Sequence, residues 1–131
     1  MAGSFKLAPG LNNVGSYQVS GKPFATSSVD AEEAVAVSFT EVARWFQIIN
    51  KGAAPVKVGF SKIGVDGANN IVVDASSSSG YGISPVYELK VSQVWLSGSD
   101  DVDLIAGLTG INAASSETNT GPNWSGSAGV G

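Results

Sequence analysis

The sequence predicts an all-β protein, an antiparallel β-sandwich of jelly-roll type with extended arms at both ends. Three observations carry that reading. Short segments alternate apolar and polar residues with period two. Turn signals built from Gly, Asn, Asp and Pro recur every ten residues or so. The composition is poor in charge, 14% of 131 residues, and rich in glycine, with 17. An immunoglobulin-like sandwich is the alternative, because both windings give the same alternation. The length suits one domain that needs no disulfide or metal staple. The expected division is an N-terminal arm at 1–13, a sandwich at 14–110 and a flexible tail at 111–131.

The elements follow in chain order. Residues 1–13 carry the turn pairs Pro9-Gly10 and Asn12-Asn13, with Phe5, Leu7 and Leu11 as isolated apolar anchors. Val14 to Ser20 alternates weakly and Gly21-Lys22-Pro23 breaks it. Val35 to Thr40 is a half-buried strand with Val35, Val37 and Phe39 on one side. Arg44 to Asn50 is apolar on both faces, as a central strand covered on both sides would be. Asn50-Lys51-Gly52 reads as the turn of a hairpin to Val56–Lys62, which would bring Trp45 or Phe46 near Phe60. Ile71-Val72-Val73 is a short strand, and Ser76 to Gly82 is a low-complexity loop.

Within Val86 to Ser97 the phase slips at Ser92-Gln93. A β-bulge or a sharp bend explains the slip, and a break into two strands is the alternative. Val102 to Leu108 is the last clear strand, with Val102, Leu104, Ala106 and Leu108 facing one way. Beyond Gly110 the pattern is lost, and residues 112–131 are rich in Ser, Thr, Asn and Gly with Trp124 as the bulky anchor. Trp is enriched at interface hot spots, so Trp124 reads as an anchor into another subunit.

The residue inventory disfavours most chemistry. The chain has no histidine and no cysteine, which removes the usual base, thiol and soft metal ligand. A serine nucleophile would lack its imidazole partner. Glu41, Asp74 and Glu88 have no spacing that brings two carboxyls to one cleft. The turn Asp100-Asp101-x-Asp103 could offer oxygens to Ca²⁺, but it lacks the D-x-D-x-D-G spacing, and a solvated turn is the plainer reading. No catalytic residue, cofactor or metal is expected. Net charge is −4 with a single arginine, Arg44, and scattered lysines, which is no footprint for nucleic acid. No apolar run is long enough to span a membrane and no signal-peptide core is present, so the protein is expected to be made without export. The sequon Asn123-Trp124-Ser125 then reads as coincidence.

Gly15 to Phe24, Arg44 to Asn50, Trp95-Leu96-Ser97-Gly98 and Ile105 to Thr109 together resemble small virion structural proteins of tailed bacteriophages, in particular β-sandwich head decoration, or cement, proteins. That resemblance implies a non-enzymatic protein bound to the outer surface of an assembled phage head, stabilising contacts between capsid subunits. Its partners would be the major capsid protein and other copies of itself, as a homotrimer or other homo-oligomer. It would be made in the host cytoplasm and located on the capsid exterior. Phe5, Leu7, Leu11 and Trp124 are the expected contact residues. The competing expectation is a carbohydrate-binding or tail-associated adhesion module using Tyr81, Tyr87 and Trp95.

Overall fold

A computed structural model describes residues 22–113, 117–118, 121–122, 124 and 127–130. The expected arm and the segment Val14 to Ser20 therefore lie outside the described residues. Eight strands form two antiparallel four-stranded sheets. They are β1 (Lys22–Val29), β2 (Val35–Ser38), β3 (Glu41–Asn50), β4 (Val56–Gly59), β5 (Asn70–Val73), β6 (Gly82–Ile83), β7 (Gln93–Ser97) and β8 (Val102–Asn112). Sheet one has the order β1-β8-β3-β6 and sheet two the order β2-β7-β4-β5. The pairs nest: β1 with β8, β2 with β7, β3 with β6, β4 with β5. Each sheet is completed by one further pairing, β3 with β8 and β4 with β7. One helical turn, α1 (Lys62–Asp66), follows β4, and its N-terminus is capped by the Ser61 hydroxyl, which accepts from the Gly64 amide at 2.9 Å. A short ladder, β9 (Glu117–Thr118) with β10 (Gly121–Pro122), lies beyond β8.

Alternation decides which side chains meet between the sheets. From sheet one come Phe46, Ile48, Val102, Leu104, Ala106 and Leu108; from sheet two come Val37, Val56, Val58, Val94 and Leu96, all buried. Phe24 and Phe39 meet edge to face at 4.9 Å between ring centroids. Each large apolar side chain buried this way contributes about 1.5–3 kcal/mol before entropy is counted.

Lys22 and Pro23 open β1, and the segment Val14 to Ser20 that they are expected to break lies outside the described residues. Proline is tolerated there because β1 is an edge strand, paired only with β8. No hairpin joins β3 and β4; they belong to opposite sheets. Phe46 and Phe60 do meet, at 6.4 Å, but across the sandwich. The chain turns there because Asn50 is fully buried. Its amide donates to the carbonyls of Ala54 and Asp74, and its oxygen accepts from Gly52 N–H and the Ser99 hydroxyl.

The phase slip at Ser92-Gln93 is a bend at Ser92 where the chain changes sheet, so the sharp bend holds and the bulge does not. The Val91 carbonyl accepts from Ala43 in sheet one, while Gln93 pairs with Ser38 in sheet two. Finally, β8 runs beyond Leu108, the expected end of the last clear strand, to Asn112.

Candidate functional site

The outer face of sheet one is assembled by register. Phe46, Ile48 and Asn50 point inward and are buried, so Trp45, Gln47 and Ile49 point outward. Across the ladder, Gly107 lies between Pro23 and Trp45, Ile105 between Ala25 and Gln47, and Ile49 is opposite Ile83. Trp45, Gln47 and Ile49 are half-buried; Pro23, Ala25, Ile83 and Ile105 are exposed. Gln47 turns its amide to the Ser84 carbonyl, 2.9 Å away. Among the described residues the middle of this face is apolar apart from Gln47, whose amide is bonded, and Trp45, Ile49 and Ile105 carry no charge.

Its charges sit at the two ends. At the start of β8, Lys51 Nζ reaches Asp103 at 3.2 Å and Asp101 at 3.6 Å. At the other end, Lys22 Nζ reaches Glu41 at 3.2 Å. The Thr40 hydroxyl donates to Glu41 at 2.8 Å, and this bond, aided by Lys22, holds the Glu41 carboxyl below its ordinary pKa. The Lys51 ammonium is held above its ordinary value, first by its bond to Asp103 and then by the fields of Asp101, Asp103 and Tyr81. An apolar centre with a charged rim is the anatomy of a protein–protein interface.

A second feature lies at the sandwich edge where β5 and β6 end the two sheets. A cavity of about 350 Å³ is lined by residues between Val72 and Tyr87, including Asp74, Ser77, Ser79, Tyr81 and Ser84. Tyr81 is 59% exposed. Tyr87 is half-buried, its ring 5.2 Å from that of Phe46. The serine-rich loop is a tight turn in which Ser77 and Gly80 exchange both backbone bonds.

The remaining expected positions are distributed as follows. Phe5, Leu7 and Leu11 lie outside the described residues. Trp124 has a seat on its own sandwich: half-buried, it packs against the core and its indole N–H donates to the Phe60 carbonyl at 3.1 Å. Of the three aromatics named for sugar binding, Tyr81 and Tyr87 line the edge cavity. Trp95 stands instead on the outer face of sheet two, donating to Gln93 at 3.0 Å. Glu88 pairs with Arg44 at 3.5 Å and Glu41 with Lys22, while Asp74 lies at the edge cavity. Among the described residues no group of three or more acids is placed to hold a metal, and no helix is long and apolar enough to cross a membrane. Neither the open sheet face nor the cleft was singled out as a site from sequence. The doubly apolar β3, expected to be covered on both sides, has an outer side that is only half-buried.

Comparisons with protein-family models, with curated proteins and with solved structures found no match.

Proposed function

We propose that this protein is a capsid decoration protein whose sheet-one outer face docks on the exterior of an assembled phage head. The observation that carries the reading is that face: exposed Ile83 and Ile105 beside half-buried Trp45 and Ile49, between two terminal ion pairs. A strand with the pattern of β3 has two apolar sides, and the sandwich core occupies one. Docking on a capsid subunit covers the other. A rigid two-sheet body suits that task, because burial of a preorganised face carries little ordering cost.

The nested strand pairs support a jelly-roll winding, in which a long four-rung hairpin rolls up into two sheets. The orders differ from the ABED and CFG sheets of an immunoglobulin sandwich. Jelly rolls are a recurrent architecture of viral capsid and lectin domains. Phe5, Leu7 and Leu11 remain proposed contacts through the arm, and a homotrimer remains the proposed assembly.

The test is co-sedimentation with heads that lack the protein, comparing the wild type with an Ile83→Lys, Ile105→Lys double variant. The wild type should pellet with the heads and the folded variant should stay in the supernatant. Equal pelleting of both would refute docking through this face. Failure of the wild type to pellet would refute the decoration role.

A further inference from the structure

We propose that the edge cavity between β5 and β6 binds the pyranose ring of a neutral glycan, a function separate from capsid docking. Its volume of about 350 Å³ falls in the range of small-ligand pockets. Its groups are those a sugar ring needs. The Asp74 carboxylate is exposed and makes no ion pair among the described residues, so it is free to accept from two vicinal hydroxyls. Ser77 and Ser79, whose hydroxyls lie 2.8 Å apart, supply groups that both donate and accept. Tyr81 and Tyr87 supply aromatic surface for the C–H face of a ring, and Tyr87 is braced from behind by Phe46.

Other ligand classes fit less well. No lysine or arginine lines the cavity, and Asp74 repels anions, so phosphates and carboxylates are disfavoured. A single carboxylate is too few for a hard cation, which takes several oxygen ligands. The serines and the carboxylate would be left unpaired by a purely apolar ligand, at a desolvation cost.

The walls are preformed. The buried Asn50 amide donates to the Asp74 carbonyl at 3.1 Å. Gly82 presses on that same carbonyl so closely that a Cβ there would overlap it. The Ser77–Gly80 turn is closed by two backbone bonds, of 2.8 and 3.0 Å. Preorganisation of this kind lowers the cost of binding.

The experiment is a titration of the ¹⁵N-labelled full chain with the methyl glycosides of glucose, galactose, mannose and N-acetylglucosamine, followed by amide shifts. At least one glycoside should give saturable shifts confined to the segment from Val72 to Tyr87. Asp74→Ala and Tyr81→Ala remove exposed side chains and should each weaken that affinity about tenfold, the worth of a hydrogen bond to a charged group or of one ring contact. Ile105→Lys, on the sheet face, should leave the titration unchanged, which separates this site from the docking face. The proposal is overturned if none of the four glycosides shifts the cleft amides, or if both cleft variants bind as the wild type does.

Discussion

The two sheets share one core but treat their outer faces differently. On sheet two, α1 and the tail provide cover. Val65 of α1 is fully buried and packs over Gly59, where an added Cβ would come within 2.8 Å of it. The Val130 carbonyl accepts from the Ser61 hydroxyl at 2.7 Å, and Trp124 donates to Phe60. The rest of that face satisfies itself, with Trp95 donating to Gln93 and Gln93 to Ser38. Sheet one, by contrast, turns Ile83, Ile105, Ala25 and Pro23 to solvent with half-buried Trp45 and Ile49 among them. Sheet two is covered in part, since Val72 on its outer side is 57% exposed, and what distinguishes it is the helix and tail packed on it. A face that is apolar and unfinished among the described residues gains by meeting a partner.

The sharpest way to break that contrast uses adjacent residues on β8. Leu104 points inward and is 1% exposed; Ile105 points outward and is 38% exposed. Leu104→Ala should cost about 2–5 kcal/mol in chemical denaturation, as cavities in packed cores do. Ile105→Lys should cost less than about 0.5 kcal/mol, as an open surface site would. A loss at Ile105 rivalling that at Leu104 would mean that the chain itself covers sheet one.

Sheet two makes the converse prediction. Gly59→Val places side-chain atoms against Val65 and the Asn69 carbonyl, which lies 3.2 Å from a Cβ built there. Displacing α1 should cost about 1–3 kcal/mol, the usual range for overpacking. A neutral Gly59→Val, measured by thermal unfolding, would show that α1 is only loosely applied and that the two faces differ less than they look.

Ser92 offers a smaller effect of opposite sign. It sits where the chain passes from one sheet to the other, 3% exposed, with a hydroxyl that has no hydrogen-bond partner. Ser92→Ala removes a buried unpaired polar group and should raise stability by about 1 kcal/mol. A loss instead would assign that hydroxyl a role in holding the crossing.

Much of this body is legible from alternation alone. The inward sets Val35, Val37, Phe39 and Val102, Leu104, Ala106, Leu108 follow from period two, because a strand with one wet side must alternate. The partners of those strands do not follow, since Asn50-Lys51-Gly52 has the same turn chemistry whether it closes a hairpin or an arch between sheets. Burial of Asn50 settles that choice, and burial is a tertiary property. The slip at Ser92-Gln93 was visible, but a bulge and a sheet change leave the same mark on sequence. The doubly apolar β3 reads as a strand covered on both sides, whereas only its inner side is covered by the other sheet and Trp45, Gln47 and Ile49 stay half-buried. Tyr81 and Tyr87 are legible as sugar-binding candidates, but their meeting with Asp74 is not, since a serine-rich turn with no periodicity to read joins them.

The rim of the open face gives the last prediction, and the smallest. The pKa of Lys51 is raised in the folded protein by its bond to Asp103 and by Asp101, so the folded state binds this proton more tightly than the unfolded chain does. Its contribution is therefore complete below the ordinary lysine pKa and is lost as pH rises through the raised value. Because the group is partly solvated, the effect on stability should be slight and weakened by salt. Lys51→Met should flatten the alkaline limb of a stability–pH profile while leaving neutral pH nearly unchanged. If the alkaline limb keeps its slope, the Lys51 cluster is not a coupled unit.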